Sequence, residues 1–278
     1  MDWTFLIDVL KESVVLTLIV TALMGAIEAL NISTKGSMMS FLHRSHAGQI
    51  VASSFLGATP GCVGGYFTVS MYTKRMFSFG ALMAMALATT GDEAFVMLAS
   101  YPGTALAIFA GLFVLGIIGG FLTDARGRRY MDRDVDECDC PETDAEHVAE
   151  HNTLRHRLLH TIKHGGKIFL WTFGIMAVVG VIQQFVDLES WVGANVPLVI
   201  LLAVALGCIP QSGPHMVFVT LFATGLVPLS VLLASCISQD GHAGLPLIAA
   251  SRRDFLRIKA VKCVVALAVG FAVMLIFG

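Results

Sequence analysis

Ala88-Thr89-Thr90-Gly91-Asp92-Glu93 and Ser238-Gln239-Asp240-Gly241-His242 each lie about half-way along an apolar segment. A carboxylate is expensive in hydrocarbon, and the glycine beside it marks an interruption of the helix. Non-helical backbone at membrane depth survives only inside protein or beside a water-filled cavity. The two stretches therefore read as polar breaks inside a membrane protein. Working outward, Leu56-Gly57-x-x-Pro60 recurs 150 residues later as Leu206-Gly207-x-x-Pro210. The same offset sets Cys62 on Ser212, Ser70 on Thr220, Leu82 on Leu232, and Ala84 on Ala234. It then sets Thr90-Gly91-Asp92 on Asp240-Gly241-His242. Gly25-x-x-Glu28 answers Gly180-x-x-Gln183 at a slightly different offset. What repeats is the punctuation more than the residues.

Composition agrees with lipid as the outer solvent. Of the 278 residues 56% are hydrophobic and 14% charged, and mean hydropathy is +0.77. A soluble domain of this size needs far more charge on its surface. The charges gather in three patches, from Lys35 to His46, Asp124 to Lys167 and Arg252 to Lys262. Between them run apolar stretches such as 14–31, 104–122, 168–186 and 261–277, close to the ~20 helical residues that cross a bilayer. The opening MDWTFLIDVLKES has no basic region before an apolar run, so no cleavable signal is expected. Cys62, Cys208, Cys236 and Cys263 lie in apolar segments without evident partners, and Cys138-x-Cys140 lies in a polar loop, so reduced thiols are expected.

Each half reads as a full helix (13–31, then 167–187), two short legs (46–59 and 62–73, then 195–209 and 213–224), an interrupted helix (78–100, then 228–250) and a last full helix (103–123, then 258–278). The legs are too short to span, which suggests a hairpin re-entering from one side. The expected fold is an all-α integral membrane protein of two inverted-topology repeats, each with a re-entrant helical hairpin and a broken helix. The divisions are 1–124, a His/Cys/acid-rich loop at 125–165, and 166–278. Basic residues set the orientation. Placing Lys35, Arg44, Lys74, Arg75, Arg126, Arg128, Arg129, Arg133, Lys163, Lys167, Arg252, Arg253, Arg257 and Lys259 inside puts both termini outside and the 124–167 loop in the cytoplasm. An odd number of crossings per half then makes the halves inverted, an architecture that holds substrate near the midplane.

The candidate substrate or metal site collects Asp92, Glu93, Asp240 and His242 with Thr89, Thr90 and Gln239. Such O/N donors suit hard or borderline cations. Asp92 and Asp240 equally read as caps of the second half-helices. The hairpin tips carry Thr59 and Cys62 in one half and Gln211, Ser212 and His215 in the other. Pro and Gly account for those turns without a ligand. His215 is a ligand or a histidine hydrogen-bonded to the tip, and Cys62 and Cys208 are thiolate donors or plain packing. Glu28 is a coupling candidate or a snorkelling carboxylate. In the loop, Cys138, Cys140, His147, His151, His156, His160 and His164 are metal-binding candidates. Their four-residue histidine steps share one helical face, as an ordinary solvated linker can too.

Gly57-Ala58-Thr59-Pro60-Gly61-Cys62-Val63-Gly64-Gly65, Ser78-Phe79-Gly80-Ala81-Leu82 and Thr90-Gly91-Asp92-Glu93-Ala94-Phe95-Val96-Met97-Leu98 together resemble the ten-transmembrane heavy-metal exporters. Members of that family carry labels such as manganese transporter or arsenic-efflux-like permease. Gln239-Asp240-Gly241-His242 and Pro246-Leu247-Ile248-Ala249 are similar to it as well. Where the family leads one to expect an amide before the first Gly-Asp, this chain has Thr89-Thr90. The resemblance implies metal efflux.

The expected function is secondary active export of a divalent transition metal (Mn²⁺, Fe²⁺ or Zn²⁺) coupled to H⁺ or Na⁺, without a resident cofactor and not as an enzyme. No G-x-x-x-x-G-K-[ST] loop appears in the sequence. The rival is a transporter of an organic or oxyanion solute, arsenicals included; the expectation that no Lys or Arg lies at the breaks counts against it. An intramembrane aspartyl hydrolase using Asp92 and Asp240 is a remote third reading. Expected partners are the bilayer of the cell membrane and the metal ion, with a homodimer open and no nucleic acid.

Overall fold

The computed structural model describes residues 45–61, 63–127, 188–210 and 213–277, with scattered positions between 10 and 18 and between 166 and 178. Most of the two expected first helices, Glu28 and the 128–165 loop with all its cysteines and histidines fall outside the described residues. Every described element is a helix. They are α1 (His46–Ala58), α2 (Val63–Thr73), α3 (Phe79–Ala88), α4 (Glu93–Ser100), α5 (Pro102–Ala125), α6 (Leu188–Ala194), α7 (Val196–Gly207), α8 (Gly213–Ala223), α9 (Leu229–Ser238), α10 (Gly244–Ala250) and α11 (Arg252–Phe277). A 3-10 turn, Gly241–Ala243, leads into α10.

The bounds keep the register of the sequence repeat. Val63–Thr73 is answered by Gly213–Ala223, and Phe79–Ala88 by Leu229–Ser238. The turns leaving α2 and α8 carry the same backbone hydrogen bonds. Lys74, Arg75 and Met76 donate to the carbonyls of Ser70, Tyr72 and Met71, and Thr224, Gly225 and Leu226 to those of Thr220, Phe222 and Leu221. Arg75 accordingly takes the left-handed conformation (φ 59°) that Gly225 takes in the second half (φ 78°).

Among the described residues, Phe79–Ser100, Pro102–Ala125 and Arg252–Phe277 are long and apolar enough to cross a membrane. The first is buried along nearly its whole length, while the other two turn much of their surface outward, with Leu106, Ile118, Leu122, Val264 and Leu275 exposed. Such outward apolar surface suits a hydrocarbon environment. Within each half the interrupted helix is the centre. α3 packs between α1 and α5, and α9 between α7 and α11. Small residues permit this closeness. A Cβ on Gly120 of α5 would lie 2.8 Å from the Gly80 carbonyl oxygen, and one on Gly270 of α11 3.0 Å from Ala234 Cβ.

The halves also exchange contacts. α8 packs on α4, and α2 on the 241–250 segment. Tyr72 at the end of α2 donates to Asp254 Oδ2 at 2.8 Å, while Phe222 near the end of α8 meets Tyr101 edge-on at 5.0 Å between centroids.

Two sequence expectations change. The last helix begins at Arg252, not near 258, because Ser251 caps it: Asp254 N donates to Ser251 Oγ, which donates to Asp254 Oδ2. Arg252 to Lys259 thus form the first turns of a helix, with only part of their charge in a flank. Cys208 also has a partner, for its sulfur lies 3.6 Å from that of Cys263.

Candidate functional site

The two breaks meet each other. α3 ends at Thr89, whose backbone turns extended (ψ 127°), and Gly91 (φ 60°) swings the chain into α4. Gly241 (φ 54°) makes the matching swing after Asp240. Left-handed backbone costs a glycine little, which explains glycine at both places. Gln239 then reaches across, its Nε2 donating to the Thr89 carbonyl at 3.1 Å. The side chain lies against Gly91, where a Cβ would come within 3.4 Å of Gln239 Oε1.

The turn between α1 and α2 is also stitched to the break in the first half. Thr90 N donates to the Gly57 carbonyl at 3.2 Å, and Gly61 N to the Gly91 carbonyl at 3.1 Å. Thr90 Oγ1 points at the Ala58 carbonyl at 3.5 Å. Thr59 returns its hydroxyl to the Phe55 carbonyl of its own helix at 2.8 Å, in an exposed position.

In the second half two lysines make the connection. Lys262, fully buried, donates to the Ala86 carbonyl at 2.6 Å, to Asp240 Oδ1 at 2.8 Å and to the Gln239 carbonyl. Lys259 donates to the Ser238 carbonyl at 2.9 Å and to the Gly207 carbonyl, and pairs with Asp240 Oδ2. An ammonium has three N–H donors, so each lysine is fully used. The carbonyls they hold end α3, α7 and α9, where helices leave acceptors unpaired and carry partial negative charge. The expectation that no basic residue lies at the breaks is therefore overturned. Lys259 and Lys262 come from α11, three residues apart on one helical face.

These lysines were legible as a departure from the repeat: at the same offset the first half has Phe109 and Leu112, both buried apolar residues. An ionisable group inside Ala260-Val261-Lys262-Cys263-Val264 was a second cue.

Asp92 stands at the N-cap of α4 without a side-chain cap hydrogen bond, and Asp240 spends its carboxylate on the two lysines. Capping alone thus leaves both carboxylates unexplained. Two ammonium groups on Asp240 also differ from the pair of acids sharing one proton that an aspartyl hydrolase needs. Glu93, 1% exposed at the start of α4, leaves Oε1 without a hydrogen bond. His215 on α8, equally buried, has neither ring nitrogen in a hydrogen bond of ordinary geometry, though it interacts with the Ile209 backbone. Buried polar groups are nearly always paired, so such exceptions call for a role. No group of three or more His, Cys, Asp or Glu suited to a metal occurs among the described residues. Cys62, Gln211, Ser212 and the side chain of His242 fall outside them.

Apolar helices facing outward around buried, interlocked charges mark an all-α membrane protein. The chain belongs to the family described as "Putative, 10TM heavy-metal exporter", whose model matches residues 10–192 and 178–277. No curated protein and no solved structure matches the chain.

Proposed function

We propose that this chain is a secondary active exporter of a divalent transition metal, coupled to protons, in which the cargo competes with Lys262 for Asp240. The observation that carries the reading is the shared carboxylate: Asp240 lies between two ammonium groups, in a ring of main-chain carbonyls drawn from both breaks. Oxygen donors of this kind suit Mn²⁺, Fe²⁺ or Zn²⁺. An ammonium already occupies the place such an ion needs. For the ion to bind, Lys262 must leave Asp240 or give up its proton; for the ion to leave, the proton must return. Metal bound from the cytosol and protons taken up from outside then make an antiport, which favours H⁺ over Na⁺ as the coupling ion. Glu93, Asp92, Thr89, Thr90, Gln239 and His215 complete the proposed substrate path.

The same reading takes the two halves as inverted repeats and each pair of short helices as a re-entrant hairpin, moving by alternating access in the cell membrane. What supports a single cytoplasmic face is the Tyr72–Asp254 hydrogen bond. It brings Lys74-Arg75 beside Arg252-Arg253-Arg257, residues that charge alone assigns to one side. The termini would then lie outside and the 124–167 loop inside.

A second reading, transport of an oxyanion or organic solute including arsenicals, draws on Lys259 and Lys262. It is weaker, because both ammonium groups are already satisfied by Asp240 and by carbonyls. The test is the metal content and tolerance of cells with and without the chain, across Mn, Fe, Zn, Co and arsenite. Depletion of a divalent metal, lost in Asp240→Asn, is expected. If no metal falls and Asp240→Asn changes nothing, the reading is wrong; selective depletion of arsenite establishes the rival.

A further inference from the structure

Cys208 and Cys263 are 55 residues apart in sequence, yet their sulfurs lie 3.6 Å apart. Cys208 caps the C-terminus of α7 at the hairpin tip, and Cys263 follows Lys262 on α11. From this pair we infer a chelating site for a soft, thiophilic divalent cation, one step from the Asp240 cluster. The inference rests on the metal-export reading and narrows its substrate class.

The spacing is the first argument. Two thiolates bound to a tetrahedral ion at about 2.3 Å stand ~3.8 Å apart. The thiols are thus within a few tenths of an ångström of chelating distance, whereas a disulfide at ~2.05 Å needs them to close by ~1.5 Å. The setting is the second: Cys208 is exposed and Cys263 half-buried, so neither is closed into the packed core as Cys236 is. The neighbouring charge is the third. Lys259 holds the carbonyl of Gly207, the residue before Cys208, and lies four residues before Cys263 on the same helical face. The same ammonium pairs with Asp240, which ties the two sulfurs to the carboxylate cluster.

Binding balances simply. Two S–H bonds break, two metal–sulfur bonds form, and two protons leave to solvent for each divalent ion taken. Two protein ligands leave further coordination positions open, as in sites that exchange ligands. Thiolate donors select d¹⁰ ions such as Zn²⁺ and Cd²⁺ over Mn²⁺, which prefers oxygen. The site thus acts as a selective seat beside the carboxylate, and Lys259 links the two.

The experiment uses the full chain in detergent under a non-thiol reductant, with Cys62, Cys138, Cys140 and Cys236 replaced by alanine. Cd²⁺ is titrated while the thiolate-to-metal charge-transfer absorbance is followed. One equivalent is expected to bind, with loss of the band in either Cys208→Ser or Cys263→Ser, and excess Mn²⁺ is expected not to displace it. A band that survives either serine, or no band in a protein whose circular dichroism and melting point are unchanged, overturns the site. Cellular export and its loss in Asp240→Asn are read separately. Export without Cd²⁺ binding at the pair sinks this inference and spares the exporter; Cd²⁺ binding in a chain that exports nothing does the reverse.

Discussion

Gln239 donates its side-chain amide to the Thr89 carbonyl, so the break of one half is held by a residue from the break of the other. The two residues occupy the same place in the repeat, 150 apart. Lys262 reinforces the join by holding the Ala86 carbonyl of α3 together with Gln239 and Asp240. The centre of the molecule therefore behaves as one unit, and substitutions in either half should be felt in both.

Lys262→Met leaves the length of the side chain and removes its charge. Asp240 keeps Lys259 in that variant, so the cost should be that of the charged hydrogen bonds lost, about 1.5–3 kcal/mol. Thermal unfolding in detergent should show this, with Lys262→Met/Asp240→Asn less destabilised than the sum of the single variants. Additive behaviour would argue against a direct coupling.

Gln239→Leu cuts the amide link and removes Gln239 Oε1, which has no hydrogen-bond partner. The net stability change should be small, about 1 kcal/mol. Metal efflux should fall much more than stability. Equal loss of folded protein and of flux would make the link merely structural.

Glu93→Gln tests a buried carboxylate that lacks a partner for Oε1. Neutral glutamine of the same shape should leave the melting point unchanged or raised, since sites kept for function often cost stability. Flux should drop by about tenfold or more, the effect of ~1.4 kcal/mol on a barrier. A melting point lowered by several degrees would assign Glu93 to the fold.

Gly120→Ala and Gly111→Ala compare two glycines of α5. The first added Cβ meets the Gly80 carbonyl at 2.8 Å and Ile50 Cγ2 at 2.7 Å, and the second meets nothing within 4 Å. Overpacking should cost Gly120→Ala about 1–3 kcal/mol. Gly111→Ala should be neutral or slightly stabilising by the same melting measurement.

Tyr72→Phe removes one of three groups on Asp254, which keeps Arg257 at 3.0 Å and Ser251 at 3.0 Å. The loss should be about 1–3 kcal/mol, the range for a hydrogen bond to a charged group. Hydrogen exchange should rise at the ends of α2 and α11 and not at Phe222. Exchange spread evenly over both halves would contradict a local contact.

Much of the fold was legible because glycine, proline and polar breaks punctuate an apolar chain. The legs expected at 62–73 and 213–224 are α2 and α8, and the interruption expected at Thr90-Gly91-Asp92 separates α3 from α4. Legibility failed where side chains travel. Lys259 read as part of a cytoplasmic flank, and Lys262 as the end of a charge patch, because composition counts charge by position along the chain. A helix that starts six residues earlier turns them toward Asp240 instead. Cys208 and Cys263 met for the same reason: α7 and α11 pack together, a pairing that no local pattern announces.

Lys262 follows Asp92 of the first break by 170 residues and comes after both breaks in the chain. During synthesis, then, the acids and carbonyls at both breaks are made long before the ammonium that joins them. α2, too, must wait for the 241–250 segment on which it rests. A nascent chain stopped after α10 would hold uncompensated charge in lipid and be open to cellular quality control. Arrival of α11, which brings Lys259 and Lys262 to Asp240, is thus the step that closes the centre.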